Sequence, residues 1–175
     1  MKDLILIKPS GEYASQIAEY RAEFIECGDS MDGCGSLRRL DNPYDFIKKS
    51  SDYERAETLP EGLVIATQFM LVRASDNRLI GMIQVRHYFN DYLSKFGGHI
   101  GYSVRPSERQ KGYAKEMLKM ALPFCREIGL EKVLITCIDG NIGSEKTILA
   151  NGGKYESTVY EPDEKVYLKR HWIEL

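Results

Sequence analysis

The residues best suited to chemistry lie together between His99 and Lys115, in the run HIGYSVRPSERQKGYAK. Arg105, Arg109, Lys111 and Lys115 bring positive charge, and Gly112 allows the backbone to approach a bulky group closely. Just before them, Ile100, Tyr102 and Val104 alternate with His99, Gly101 and Ser103, which predicts a strand. After Gly112, apolar residues recur at three- and four-residue intervals through Ala114, Met117, Leu118, Ala121, Leu122 and Cys125, which predicts a helix. A strand therefore feeds a basic turn that opens a helix. The first amides of a helix lack intrahelical partners and its dipole favours negative charge there, so the turn is suited to an anion such as a phosphate. A plain helix start with solvated cations has the same composition.

The segment Arg109-Gln110-Lys111-Gly112-Tyr113-Ala114 resembles the R/Q-x-x-G-x-G/A motif of the GNAT superfamily of acetyl-CoA-dependent N-acyltransferases. Its context agrees. A predicted strand at Lys132 to Ile138 follows the helix, then Asn141-Ile-Gly-Ser144 in the place of N-x-x-S, then a short helix ending at Gly152-Gly153. The resemblance is strong from about Gly98 to Tyr155 and elsewhere rests on the order of elements. It implies acetyl-CoA as co-substrate and no metal. It also implies that Arg109, Gln110, Lys111, Gly112, Tyr113 and Ala114 hold the pyrophosphate. Tyr102, Ser103 and Val104 would pair through their backbone with the pantetheine arm, and the Val104 amide would polarise the thioester carbonyl. Asn141 and Ser144 would stand near the same arm, though helix capping accounts for both equally well.

One departure bears on the chemistry. Many members of the family carry a tyrosine four residues beyond the serine, where it protonates the leaving thiolate; here that position is Ile148. Tyr155 and Tyr160 are possible substitutes. A base for the acceptor ammonium is open too: His99 and His87 are the candidates among side chains, and water relayed from Glu or Asp serves equally well. Glu23, Glu26, Asp29 and Asp32 form an acidic stretch that borders the acceptor in the family and would favour a cationic amine; a solvated helix face reads the same way. The resemblance thus implies an N-acetyltransferase acting on a primary amine of a small molecule or peptide. The alternative is a non-catalytic acyl-CoA-binding module. No G-x-x-x-x-G-K-S/T run is present for a nucleotide triphosphatase.

The remaining elements must position these residues. The expected order is β-α-α-β-β-β-α-β-α-β-β, an α/β (α+β) fold with a mixed sheet of about seven strands and helices on both faces. Leu4 to Ile7 reads as a strand, and Tyr13 to Cys27 as a helix that Ser10 could cap. Asp41-Asn42-Pro43 starts a second helix, and Gly129 ends the third. Ser75 to Arg78 and Glu161 to Glu164 read as hairpin turns, with a bulge at Gly81. The 175 residues, 43% hydrophobic and 29% charged, suit one domain spanning 1–175. A net charge of −2 argues against nucleic acid as a partner. No apolar run reaches signal-peptide or membrane-spanning length. Cys27, Cys34, Cys125 and Cys137 lack metal spacing. Cys125 and Cys137 read as buried and Cys34, between two glycines, as exposed. A cytoplasmic monomer or homodimer is the simplest expectation.

Overall fold

The computed structural model describes residues 3–175. Its seven strands fall into two sheets. The first holds β1 (Leu4–Ile7), β2 (Ala66–Arg73), β3 (Arg78–Arg86) and β4 (Ile100–Val104) in that order. The second sets β7 (Val166–Glu174) between β5 (Lys132–Ile138) and β6 (Lys154–Glu161). Each paired neighbour is antiparallel. The expected mixed sheet is thus divided: β4 and β5 stand side by side without a ladder between them. They touch at one end, where the His99 N–H donates to the Leu134 carbonyl at 2.7 Å, and both strands run away from that contact.

Helices cover both faces. β2 records this in its side chains: Phe69 and Leu71 enter one apolar cluster, and Met70 and Val72 the other. A strand buried on both sides reads as a continuous apolar run, as Phe69 to Val72 does here, while the buried Gln68 amide bonds to the Gly33 and Ile83 carbonyls. Helices α1 (Ala14–Glu26) and α2 (Pro43–Asp52) supply Ile17, Tyr20, Phe24 and Phe46 to one cluster. Helix α3 (Tyr113–Glu127) and the short α4 (Ile142–Leu149) supply Met117, Leu118, Ala121 and Ile148 to the other.

The local punctuation follows sequence in most places. Asn42 caps α2 by accepting from the Tyr44 N–H at 3.0 Å, with Pro43 as the first helical residue. A register shift between Leu71 and Val72 falls opposite Gly81, where the bulge was expected. Ser10 is different. A three-residue turn, Gly11–Tyr13, separates it from α1, and its side chain caps nothing. Cys34 is also different, at 1% exposure. Gly33 and Gly35 both take left-handed φ, 70° and 50°, and fold their loop back onto β4. A Cβ on Gly33 would lie 2.0 Å from the Gly101 carbonyl oxygen, so only glycine allows this approach.

Candidate active site

The divergence of β4 from β5 opens a cleft of about 810 Å³, within the range of small-molecule sites. Its β4 wall is an uncommitted strand edge. The Arg86 N–H donates to the His99 carbonyl, and the Arg105 N–H to the Ile80 carbonyl, so the odd-numbered residues of β4 bond toward β3. Alternation then turns the backbone groups of Ile100, Tyr102 and Val104 toward the cleft. The Val104 carbonyl already accepts from Arg109 Nε at 3.1 Å. Ser103 faces α1 instead: its Oγ lies 3.1 Å from Tyr20 Oη and 3.2 Å from Cys34 Sγ. Burial pushes the Cys34 thiol up to about 12, so it stays a thiol.

The mouth of the cleft is the turn that opens α3. Gln110 and Gly112 take left-handed φ, 62° and 80°, a conformation in which successive N–H groups converge on an anion. Gly112 is the N-cap and has no side chain to satisfy the helix amides, which leaves those of Tyr113 and Ala114 available. The cations behave differently from expectation. Arg105 lies 3.2 Å from Glu23, within ion-pair distance though not aligned for a hydrogen bond at Nε. Arg109 is bound to Asp29 at 2.6 Å, and Lys111 to the buried Glu108 at 2.9 Å. Tyr113 points its hydroxyl to Arg73, at 2.9 Å. Anion recognition here therefore rests on backbone amides, with Lys115 lining the cleft one turn in. The same pairs account for much of the acidic stretch: Glu23 and Asp29 brace the turn, Glu26 is exposed, and Asp32 lines the cleft with no cation at ion-pair distance among the described residues.

On the β5 side, Asn141 caps α4 by accepting from the Ser144 N–H at 3.1 Å. Ser144 Oγ in turn lies 2.9 Å from Tyr102 Oη, so two hydroxyls meet across the cleft. Burial raises the Tyr102 pKa, which keeps it a phenol. Ile148 is fully buried in the core. Tyr155 and Tyr160 are exposed on β6 and are not part of the cleft lining.

His99 occupies a different place from the one a base requires. Its Nδ1 accepts from the Leu134 N–H at 2.9 Å, and its ring lies 3.9 Å from that of Phe89. Burial, helped by the charge of Arg86, lowers its pKa to about 4. The ring stands behind the junction of β4 and β5, outside the cleft lining. His87 pairs with Thr67 at 2.9 Å on the far side of β3. Several cleft residues escaped sequence reasoning: Arg86, Tyr92, Leu93 and Phe96, and Glu161 and Glu164 from the β6–β7 hairpin.

Residues 13–154 match the acetyltransferase (GNAT) domain, and the chain belongs to that family of acetyltransferases, whose acyl donor is acetyl-CoA. Among curated proteins none has a sequence that matches it. The fold is similar to that of ribosomal-protein-S5-alanine acetyltransferase from Vibrio fischeri, with a TM-score of 0.72 at 14% identity over 99% of this chain and 94% of that one. It is also similar to the microcin C7 self-immunity acetyltransferase MccE, solved with acetyl-CoA and AMP, with a TM-score of 0.73 at 17% identity over 100% and 94%. A third is the dodecameric spermidine N-acetyltransferase from Vibrio cholerae, with a TM-score of 0.67 at 12% identity over 99% and 95%. Among the described residues no helix is long and apolar enough to cross a membrane, and no group of three His, Cys, Asp or Glu side chains is placed to hold a metal ion.

Proposed function

We propose that this chain moves an acetyl group from acetyl-CoA directly to a primary amine of a small molecule or peptide. The observation that carries this is the free edge of β4 beside a turn of unpartnered amides, both in one cleft. The amides of Lys111, Gly112, Tyr113 and Ala114 hold the pyrophosphate. The backbone groups of Tyr102 and Val104 hold the pantetheine arm as an added strand would be held. The coenzyme's contribution is a thioester, whose carbonyl carbon the amine lone pair attacks as the C–S bond breaks and the thiol leaves.

The chain's own residues supply the rest. The Val104 N–H, on the cleft side of β4, donates to the carbonyl oxygen as negative charge develops there. The Ser144 and Tyr102 hydroxyls, 2.9 Å apart, form the proton source for the departing thiolate and take the place of the tyrosine absent at position 148. With a thiol pKa near ~8.5 that step needs only modest help. The acceptor ammonium loses its proton through water to Asp32 or Glu164, carboxylates that line the cleft. His99, with its Nδ1 lone pair committed to Leu134, serves as a structural clasp.

Purified protein with acetyl-CoA and a panel of amines tests the reading by thiol release. Release that depends on the amine is expected. Tight coenzyme binding with no turnover on any amine would favour the non-catalytic binding module.

A further inference from the structure

Arg86 has no carboxylate at ion-pair distance among the described residues; Asp32 acts on its charge only from farther away. It is the last residue of β3, its side chain lines the cleft, and its Nη2 would lie 3.3 Å from a Cβ on Gly101, so it stands directly over β4. Its Nη1 is anchored by the Gly97 carbonyl at 3.0 Å and, more distantly, the Gly98 carbonyl at 3.4 Å. Its Nε and Nη2 bond to nothing in the chain, and neither is sealed in the interior. Among the described residues no carboxylate comes within 4.0 Å of this guanidinium. The other buried or half-buried arginines are paired: Arg21 with Asp41, Arg73 and Arg78 with Glu108, Arg105 with Glu23, Arg170 with Glu156. A desolvated cation without a direct ion pair is costly, and burial lowers the Arg86 pKa against the opposing pull of Asp32.

The surroundings define what would complete it. Asp32 and Glu164 line the same cleft and suit an ammonium, whereas the buried Glu161 accepts from the Asp163 and Glu164 N–H groups; Tyr92, Leu93 and Phe96 offer an apolar wall. The free edge of a guanidinium is a planar fork matched to a carboxylate. A polyamine would set a cation against Arg86 and gain nothing from it.

We propose that the acceptor bears a carboxylate beside its amine, and that Arg86 binds that carboxylate: the substrate class is a free amino acid or similar amphoteric amine. This rests on the acetyl-transfer reading above and makes it specific. Asp32 and Glu164 then face the ammonium, and the side chain lies along Tyr92, Leu93 and Phe96.

The test uses the full chain loaded with coenzyme A and pairs of acceptors that differ only by a carboxylate: L-leucine and isoamylamine, L-phenylalanine and phenethylamine, L-lysine and cadaverine. Binding is measured by calorimetry, and thiol release is followed separately with acetyl-CoA. At least one amino acid should bind roughly tenfold or more tightly than its decarboxylated partner, the worth of one charged hydrogen-bonded pair. Arg86→Gln should bring that ratio close to one, and Arg86→Lys should retain part of it. Equal or better binding of the decarboxylated member in every pair would overturn the proposal. So would a loss in Arg86→Gln that is the same for both members, since that would mark Arg86 as a brace for Gly97 and Gly98 only. Absence of binding by every amino acid overturns it too. Selective binding of amino acids with no thiol release would instead overturn the acetyl-transfer reading and leave the carboxylate site standing.

Discussion

His99 and Leu134 are joined twice: the His99 N–H donates to the Leu134 carbonyl at 2.7 Å, and the Leu134 N–H donates to His99 Nδ1 at 2.9 Å. One residue therefore replaces a length of ladder between β4 and β5. The imidazole must be unprotonated at Nδ1 to accept, and this ties the clasp to pH.

The first prediction follows from that tie. A histidine titrates near ~6.5 in an unfolded chain, whereas this one is held at about 4 in the fold. The folded state binds the proton less well, so the contribution is complete above about 6.5 and is lost as pH falls toward 4. His99→Asn keeps an acceptor but cannot titrate. Its melting temperature should depend less steeply on pH across that window than the parent's. His87 and His171, whose pKa values burial also lowers, leave a residual slope. Parallel curves for parent and variant would mean the clasp does not titrate.

Coenzyme binding is expected to depend on the turn at α3. Gly112→Asp puts a carboxylate among the amides of the cradle, at a left-handed position that aspartate tolerates better than most residues. Affinity for coenzyme A, measured by calorimetry, should fall by roughly two orders of magnitude or more, given a like charge placed against the pyrophosphate. The circular dichroism spectrum should stay that of the parent.

The hydroxyl pair can be separated from binding. Tyr102→Phe with Ser144→Ala should lower kcat by about 10- to 100-fold, at or below the ~10²–10⁴-fold usual for a proton-transfer catalyst because a thiol of pKa near ~8.5 leaves with little help. Coenzyme affinity should stay within a few fold. Unchanged turnover would show that the thiolate departs without a donor.

Packing in two places should be measurable by melting temperature. Ile148→Val removes one methylene from a fully buried site and should cost about 0.5–1.5 kcal/mol with turnover retained. Gly33→Ala is harsher for its size, because its Cβ would meet the backbone of Gly101 at 2.0 Å. A loss of at least about 1–3 kcal/mol, or a loop lifted from β4, is expected.

Much of this architecture could be read before any coordinates. The phosphate turn, the order of elements and the Asn42 and Asn141 caps are all local, and local spacing carries them. What the sequence concealed depends on partners distant along the chain. Arg109 looks free until Asp29, 80 residues away, is brought to it. His99 looks catalytic until Leu134 takes its lone pair. Cys34 looks exposed because glycines usually mark open loops, yet here they permit close contact with β4. Arg86 was invisible because its meaning lies in the direct ion pair it lacks.

The gap between β4 and β5 has a mechanical consequence as well. Backbone bonding within each sheet is continuous, but across the seam it is confined to the neighbourhood of His99 and Leu134. Cohesion between the two halves is therefore carried by side chains, above all by the cluster in which Ile100 and Val104 meet Ile135 and Cys137 under α3. A strand-like guest in the gap would bond to one half through its backbone and fill the space against the other. It would act as a stitch, raising the cooperativity with which the two halves unfold and slowing amide exchange at Tyr102 and Val104 more than at sites deep in β2.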